Sequence, residues 1–179
     1  MSRTLDSEID ALAEAERILN SPQPLMEIKK HLDNIIAGED DNKQLIFVLL
    51  LSGKIPDASM KQMILLKGRA GVGKTTLMNI ADFFKTKTIG RLSGTALDYI
   101  ENLQSFEVLK LQELGYMDQD RPLKFVSADD RGYDIEVTIP SKFENVEGSE
   151  TRPPFTTFTK HIPAITLITS TTRGGVEPQ

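Results

Sequence analysis

One run, Gly68-Arg69-Ala70-Gly71-Val72-Gly73-Lys74-Thr75, constrains this chain more than any other feature. It satisfies G-x-x-x-x-G-K-[ST] at every fixed position, directly after the apolar run Met63-Ile64-Leu65-Leu66 and directly before a helical pattern. An apolar run without alternation is one covered on both faces, so the segment predicts a buried parallel strand that turns on glycines into a helix. With ordinary Gly, Lys and Ser/Thr usage, a chance match in such a chain has odds on the order of one in a hundred. The chemistry of the pattern is that of a polyphosphate cradle. Glycines let the backbone curl so that its N–H groups turn inward, and the start of the next helix adds partial positive charge. Lys74 is placed to reach the β- and γ-phosphates, and the Thr75 hydroxyl to ligate Mg2+. The expected nucleotide contacts are Gly68, Arg69, Ala70, Gly71, Val72, Gly73, Lys74, Thr75 and Thr76, with ATP and Mg2+ as cofactors.

The rest of the chain supplies a scaffold for that loop. Leu5, Ile9, Leu12 and Leu19 recur at helical spacing and predict an amphipathic helix over residues 4–19. Asn20-Ser21-Pro22-Gln23-Pro24 ends it. Leu25, Ile28, Leu32, Ile35 and Ile36 predict a second helix, with Gly38 placed to cap it. Glu39-Asp40-Asp41 supplies acids at the start of a third. That helix contains residues 45–51, apolar on all sides, and is expected to be buried. After the glycine loop, a helix is predicted from residue 74 to about 84, with Leu77, Ile80 and Ala81 inward, and a short one over 96–103. Val108-Leu109-Lys110-Leu111 and Ile165-Thr166-Leu167-Ile168 predict two more central strands. Between them, residues 133–139 alternate as a strand with one wet face, and residues 155–160 are similarly rich in Thr and Phe. These predict an inserted β-hairpin at about 133–160. The resulting expectation is an α/β, three-layer αβα P-loop core over residues 25–179, preceded by a helix and linker over 1–24.

Composition narrows the chemistry by exclusion. The 179 residues hold no Cys, which removes disulfides, thiolate zinc sites and a cysteine nucleophile together. His31 and His161 alone make a His-rich metal centre a poor reading. Residues 1–10 are polar and acidic, unlike a signal peptide. The longest apolar run, residues 45–51, is far short of the roughly 20 a membrane span needs. The expectation is a soluble, cytoplasmic protein with no membrane partner. A net charge of −5 means that any contact with nucleic acid must come from a local cluster.

A P-loop ATPase also needs an acidic residue at the end of a neighbouring strand, to hold the magnesium shell or polarise the attacking water. The apolar strand at residues 108–111 runs into Gln112-Glu113. Glutamine stands where aspartate is usual, and it offers Mg2+ only a neutral oxygen or a bridging water. Glu113 is the candidate for orienting water, with Asp118 and Asp120 as further acids.

A family resemblance follows from this order of parts. Ile35-Ile36-Ala37-Gly38-Glu39-Asp40-Asp41-Asn42-Lys43, then an apolar helix and then the P-loop, resembles the opening of AAA+ ATPase modules, the MCM-type replicative helicases and superfamily 3 helicases being closest in pattern. The resemblance spans residues 25–173. It implies that the segment holding Ile36 lines an adenine pocket. It implies that the inserted hairpin is a pre-sensor hairpin gripping single- or double-stranded DNA, with Lys142, Arg152 and Lys160 as cations and Phe143, Phe155 and Phe158 as stacking groups, against Glu144, Glu147 and Glu150. It implies a polar sensor at the end of the last strand, where Thr169-Ser170-Thr171-Thr172-Arg173 stands in place of the usual Asn; Thr171 is taken as that residue. The catalytic set is then Lys74, Glu113 and Thr171, with Thr75 and Gln112 (through water) as the magnesium contacts. Such modules form homo-oligomeric rings and continue into an arginine finger and a helical lid. This chain reaches Gln179 without them, so the expectation is a fragment, or a chain that relies on another polypeptide and hydrolyses slowly alone.

Other readings stand beside this one. A nucleotide-dependent assembly module of low activity is compatible with Gln112. A small-molecule kinase would require an arginine-rich lid, which is not evident. A GTPase is suggested by Asp129-x-x-Gly132, but no N-K-x-D follows downstream to select guanine.

Overall fold

The computed structural model describes residues 2–90, 100, 102–112, 133–140 and 155–172. Three helices precede the first strand: α1 (Ser2–Leu19), α2 (Pro24–Asp33) and α3 (Asp40–Leu51). Pro24 opens α2, where its missing N–H leaves no helical bond unmade. The helix ends earlier than its apolar pattern suggests. Asn34 N and Ile35 N tighten onto the carbonyls of His31 and Leu32, at 3.3 and 3.0 Å, and the winding stops. Gly38 is therefore not its cap. With φ of 70° it is followed by Glu39 at 53°, and this left-handed pair turns the chain into α3. Asp40 and Asp41 fill the first turn of α3, as the acidic pattern predicts.

The expectation that α3 is buried all round is corrected. Lys43, Ile46 and Leu50 are buried, whereas Leu45 is 57% and Val48 40% exposed. A helix laid on one face of a sheet has a single side to bury, however apolar its sequence.

The strands are β1 (Met63–Lys67), β2 (Thr86–Ile89), β3 (Val108–Leu111), β4 (Tyr133–Pro140), β5 (Phe155–Ile162) and β6 (Thr166–Thr171). Four of them form a parallel sheet in the order β1-β6-β3-β2. β4 and β5 pair antiparallel in a separate two-stranded sheet, within the connection from β3 to β6. β2 is not foreseen by the apolar pattern, because Thr86-Lys87-Thr88-Ile89 is only partly apolar.

Alternation within the central strands divides the core in two. Ile64, Val108 and Ile168 face α2, α3 and the segment after the glycine loop, meeting Leu32, Ile46, Leu50, Leu77 and Ile80. Leu109, Leu111 and Leu167 face the other way, against Ile100, Leu103, Ile162 and Ile165. The molecule is thus mixed α/β, with apolar residues packed on both faces of its parallel sheet. On the second face, the described cover includes the 3-10 helix Leu103–Ser105 and the end of β5. Most of the helix predicted over 96–103 lies outside the described residues.

The helix predicted over 74–84 occupies its expected place in two windings: α4 (Lys74–Met78), then the 3-10 helix Asn79–Phe83. Lys110 reaches across from β3 to that second winding. It is 4% exposed, and its Nζ donates to Asn79 Oδ1 at 3.0 Å and to Asp82 Oδ1 at 2.8 Å. At the opposite end of the sheet, Lys61 Nζ donates to the carbonyls of Ser52, Gly53 and Ile55 at 3.3, 3.0 and 2.6 Å. It thereby satisfies acceptors that the end of α3 and the following turn leave open. Burial pushes the Lys61 ammonium below its ordinary pKa. Ser52 Oγ and Thr166 Oγ1, 2.7 Å apart, tie the same turn to the start of β6.

Gly53 leaves no room for a side chain. A Cβ there would lie 2.5 Å from the Glu107 carbonyl oxygen, which is backbone and cannot swing away. Gly53→Ala is expected to lower the unfolding free energy by about 1–3 kcal/mol, the usual cost of forced overpacking. A urea melt showing an unchanged midpoint would contradict that contact.

Candidate phosphate-binding site

The glycine loop leaves β1 at Lys67 and enters α4 at Lys74. Gly71 and Gly73 take φ of 81° and 84°, left-handed values that a side chain at either position would strain. Gly68 is constrained differently: a Cβ there would come within 3.0 Å of Val72 Cγ2. The Gly68 N–H donates to the Thr171 carbonyl at 3.3 Å, so the last turn of the β1–β6 ladder carries straight into the loop. Lys74 Nζ donates to the Gly68 and Arg69 carbonyls, both at 2.7 Å, which draws the ammonium across the loop. Because α4 is short, its dipole adds little; the loop amides and Lys74 are the main source of positive potential.

This loop forms one wall of a cavity of about 660 Å³. Ala70, Gly71, Gly73, Lys74 and Thr75 line it from the loop side, and Gly90, Gln112, Ser170 and Thr172 from the ends of β2, β3 and β6. Of the residues expected to touch nucleotide, Gly68, Arg69, Val72 and Thr76 do not line this cavity. Gly68 and Arg69 act through their carbonyls on Lys74, and Val72 is 55% exposed on the loop's other side.

Gln112 does reach the cavity, beyond the last residue of β3. Its N–H donates to Ile89 O at 3.0 Å, and its carbonyl accepts from Ser170 Oγ at 2.7 Å. That side-chain bond fastens the ends of β3 and β6 together. Thr171, taken from sequence as the sensor, does not line the cavity; Ser170 and Thr172 on either side of it do. Strand alternation accounts for this. Ile168 lies on the face covered by α3 and α4, and residues at steps of two along the strand share that face. What Thr171 contributes to the loop is its carbonyl. Glu113 lies outside the described residues, as do Asp118 and Asp120. No carboxylate lines the cavity among the described residues.

Ile36 is 4% exposed and belongs to the core, whereas its neighbour Ile35 is 53% exposed. Lys43, fully buried, donates from Nζ to the carbonyls of Ile36 and Gly38 at 3.2 and 2.8 Å. It also pairs with Asp33 and, at 2.9 Å, with Asp40. Lys29 pairs with the same two carboxylates at 2.8 and 3.1 Å. Neither Lys43 nor Lys110 is recoverable from sequence, where a lysine in an amphipathic pattern reads as solvated.

In the β4–β5 sheet, Lys160 Nζ donates to the Ile100 carbonyl at 2.9 Å, tying the sheet to the body. Phe158 is 43% exposed, and His161 Nδ1 meets Asp134 Oδ1 at 2.8 Å. Lys142, Arg152 and Phe143 lie outside the described residues, as do Glu144, Glu147 and Glu150. Among the described residues no helix is long and apolar enough to cross a membrane.

The lysine pairing gives the turn at residues 34–39 a pH dependence. Hydrogen bonds from Lys29 and Lys43 hold Asp33 below the usual carboxylate range, and those from Lys43 and Lys29 do the same for Asp40. Groups with depressed native pKa values stabilise the fold above the ordinary carboxylate pKa of about 3.9. That contribution is lost as pH falls through their lower native values. The urea midpoint is therefore expected to drop between pH 5 and pH 2. Asp33→Asn should show a shallower drop over that window, from a lower starting midpoint.

No protein-family model matches the chain, and no curated protein sequence matches it.

Proposed function

We propose that this chain binds ATP together with Mg2+ over the glycine loop and hydrolyses it as the core of an AAA+-like motor of the helicase type. The observation that carries this reading is Lys74 drawn across a glycine loop of the G-x-x-x-x-G-K-T pattern, at a cavity whose far wall is made by the ends of neighbouring parallel strands. Ligands of open parallel sheets gather beyond the carboxyl ends of the strands. Here that edge holds the glycine loop, whose amides and ammonium suit a polyphosphate.

In this reading the loop N–H groups and Lys74 hold the β- and γ-phosphates. Thr75 and Gln112 offer neutral oxygens to a divalent ion. That donor set fits Mg2+ arriving with the phosphates better than a resident metal, since the described residues contain no cluster of three His, Asp or Glu able to hold one. When bound, Mg2+ neutralises charge on the phosphate oxygens. Ser170 and Thr172 face the same cavity and take the sensor role, orienting the γ-phosphate or its water. Glu113, next to Gln112, is the residue proposed to orient the attacking water. The parallel sheet with packing on both faces supports an αβα P-loop core, and β4–β5 take the place of the pre-sensor hairpin. DNA contact is proposed through Lys142 and Arg152, with Phe158 as a stacking group. Lys160, engaged with the Ile100 carbonyl, serves mainly as an anchor. A ring of identical chains would supply the remaining catalytic groups in trans.

A second reading, a nucleotide-dependent assembly module with little hydrolysis, is favoured by one observation. The residue that closes the cavity from β3 is the neutral Gln112.

Lys74→Ala is expected to weaken ATP binding by at least about 100-fold in calorimetry, since it removes charge-assisted hydrogen bonds worth about 1.5–3 kcal/mol each. Unchanged affinity would remove the assignment. Glu113→Gln is expected to keep ATP affinity while steady-state phosphate release falls to background; equal rates would place the water-orienting group elsewhere. ATPase activity of the unaltered chain, measured with and without single-stranded DNA and alongside its oligomeric state, separates the two readings. Stimulation and assembly support a motor, and DNA-independent trace activity supports the assembly module.

A further inference from the structure

Lys110 interrupts the apolar run of β3 and is nevertheless 4% exposed. An ammonium withdrawn from water is tolerated only where its protons find acceptors. Here all three do: Nζ donates to Asn79 Oδ1 at 3.0 Å and to the two carboxylate oxygens of Asp82 at 2.8 and 3.0 Å. For packing alone, an apolar side chain in β3 would serve as well. What the lysine adds is a fixed separation between β3 and the winding that follows the glycine loop.

That separation bears on the phosphate cavity through matched spacings. Asn79 caps α4 and its N–H reaches the Thr75 carbonyl, so Thr75 and Asn79 lie one turn apart on the same side of the winding. Four residues of helix rise about 6 Å. Gln112 continues the line of β3, with its N–H on the Ile89 carbonyl. It stands two residues from Lys110 on the same face, a step of about 6.6 Å. The Lys110–Asn79 bond is therefore one rung between strand and helix. Thr75 and Gln112, which line the cavity from its two sides, form the next rung.

We infer that Lys110 is a positioning residue for the divalent ion that accompanies the nucleotide: by holding Asn79, it fixes the gap between Thr75 and Gln112, the two neutral oxygens offered to that ion. The inference rests on the ATP and Mg2+ reading above and deepens it. Gln112 brings no charge, so the ion is held by placement rather than by attraction to a carboxylate. Mg2+ demands a smaller and more regular shell than Ca2+, and the width of the gap therefore bears on the preference between them. Lys74 is held separately, by the Gly68 and Arg69 carbonyls, so binding of ATP without metal does not depend on Lys110. A Lys110 that merely tied the winding to β3 would affect ATP alike with and without metal.

Calorimetric titration of the full chain with ATP, in Mg2+, in Ca2+ and in EDTA, tests this. Lys110→Met is expected to weaken ATP by about tenfold or more in Mg2+ and to leave it within about twofold of the unaltered chain in EDTA. The same variant should narrow the difference between Mg2+ and Ca2+. If Lys110→Met does not fold, Asn79→Ala removes the rung at an exposed position and is expected to show the same split in smaller measure. Weakening in step with and without metal, or affinity in Mg2+ unchanged in the variants, would overturn the inference and leave the phosphate site standing. So would an unaltered chain that binds ATP equally well in Mg2+ and in EDTA. An unaltered chain that binds no ATP would remove both.

Discussion

The site depends on β6 pairing in parallel with two strands at once. Thr169 stands opposite Leu65 of β1 and Leu111 of β3, so one residue sets the register for both neighbours. Because all three strands run the same way, they end on the same edge, where the glycine loop, Gln112 and Thr172 emerge together. Two hydrogen bonds carry that alignment past the ladder: Gly68 N–H to the Thr171 carbonyl, and Ser170 Oγ to the Gln112 carbonyl. A slip of one residue in β6 would turn Ser170 and Thr172 to the other face of the sheet and present Thr171 to the loop instead.

Lysines organise the turns on both ends of the sheet in a way apolar packing cannot. Lys110 fastens the winding after α4 to the middle of β3, Lys43 fixes the turn into α3, and Lys61 closes the end of α3. Each joins a turn or short helix to a neighbouring element through hydrogen bonds, beside apolar contacts such as those of Ile80 and Ile36. Such contacts add less net stability than their Coulomb attraction suggests, because each ammonium is withdrawn from water while the carboxylates that meet Lys43 and Lys110 stay partly exposed, and Lys61 meets only carbonyls. Their effect is directional. Removing the acceptors would leave a buried ammonium without hydrogen-bond partners, so alternative placements of these segments are disfavoured. The glycine loop is therefore held between a hydrogen-bonded sheet on one side and a winding pinned by Lys110 on the other.

The strands that carry the site were legible because burial on both faces demands continuous apolar sequence. Val108-Leu109-Lys110-Leu111 was read with its observed ends, Met63-Ile64-Leu65-Leu66 within one residue and Ile165-Thr166-Leu167-Ile168 within three. β2 was missed for the same reason in reverse: at the edge of the sheet, Thr86-Lys87-Thr88-Ile89 needs less apolar surface. The burial of α3 was overread, since composition shows how apolar a helix is but not how many neighbours it has. Within Thr169-Ser170-Thr171-Thr172, hydroxyl chemistry is nearly uniform, and only the phase of alternation distinguishes one residue from the next. That phase is visible once Ile168 is seen packing against the helical face, a contact no local pattern reveals.

By itself, the amino-acid sequence determined the glycine loop, its lysine and threonine, and the parallel strand before it, because these follow from backbone freedom and hydrophobicity within a few adjoining residues. The tertiary structure decided which groups look into the cavity, which hydroxyls turn away, and which lysines are sunk in the protein. Those outcomes depend on segments far apart in the chain meeting in one register, and hydrogen bonding between strands, rather than any residue's own preference, sets that register.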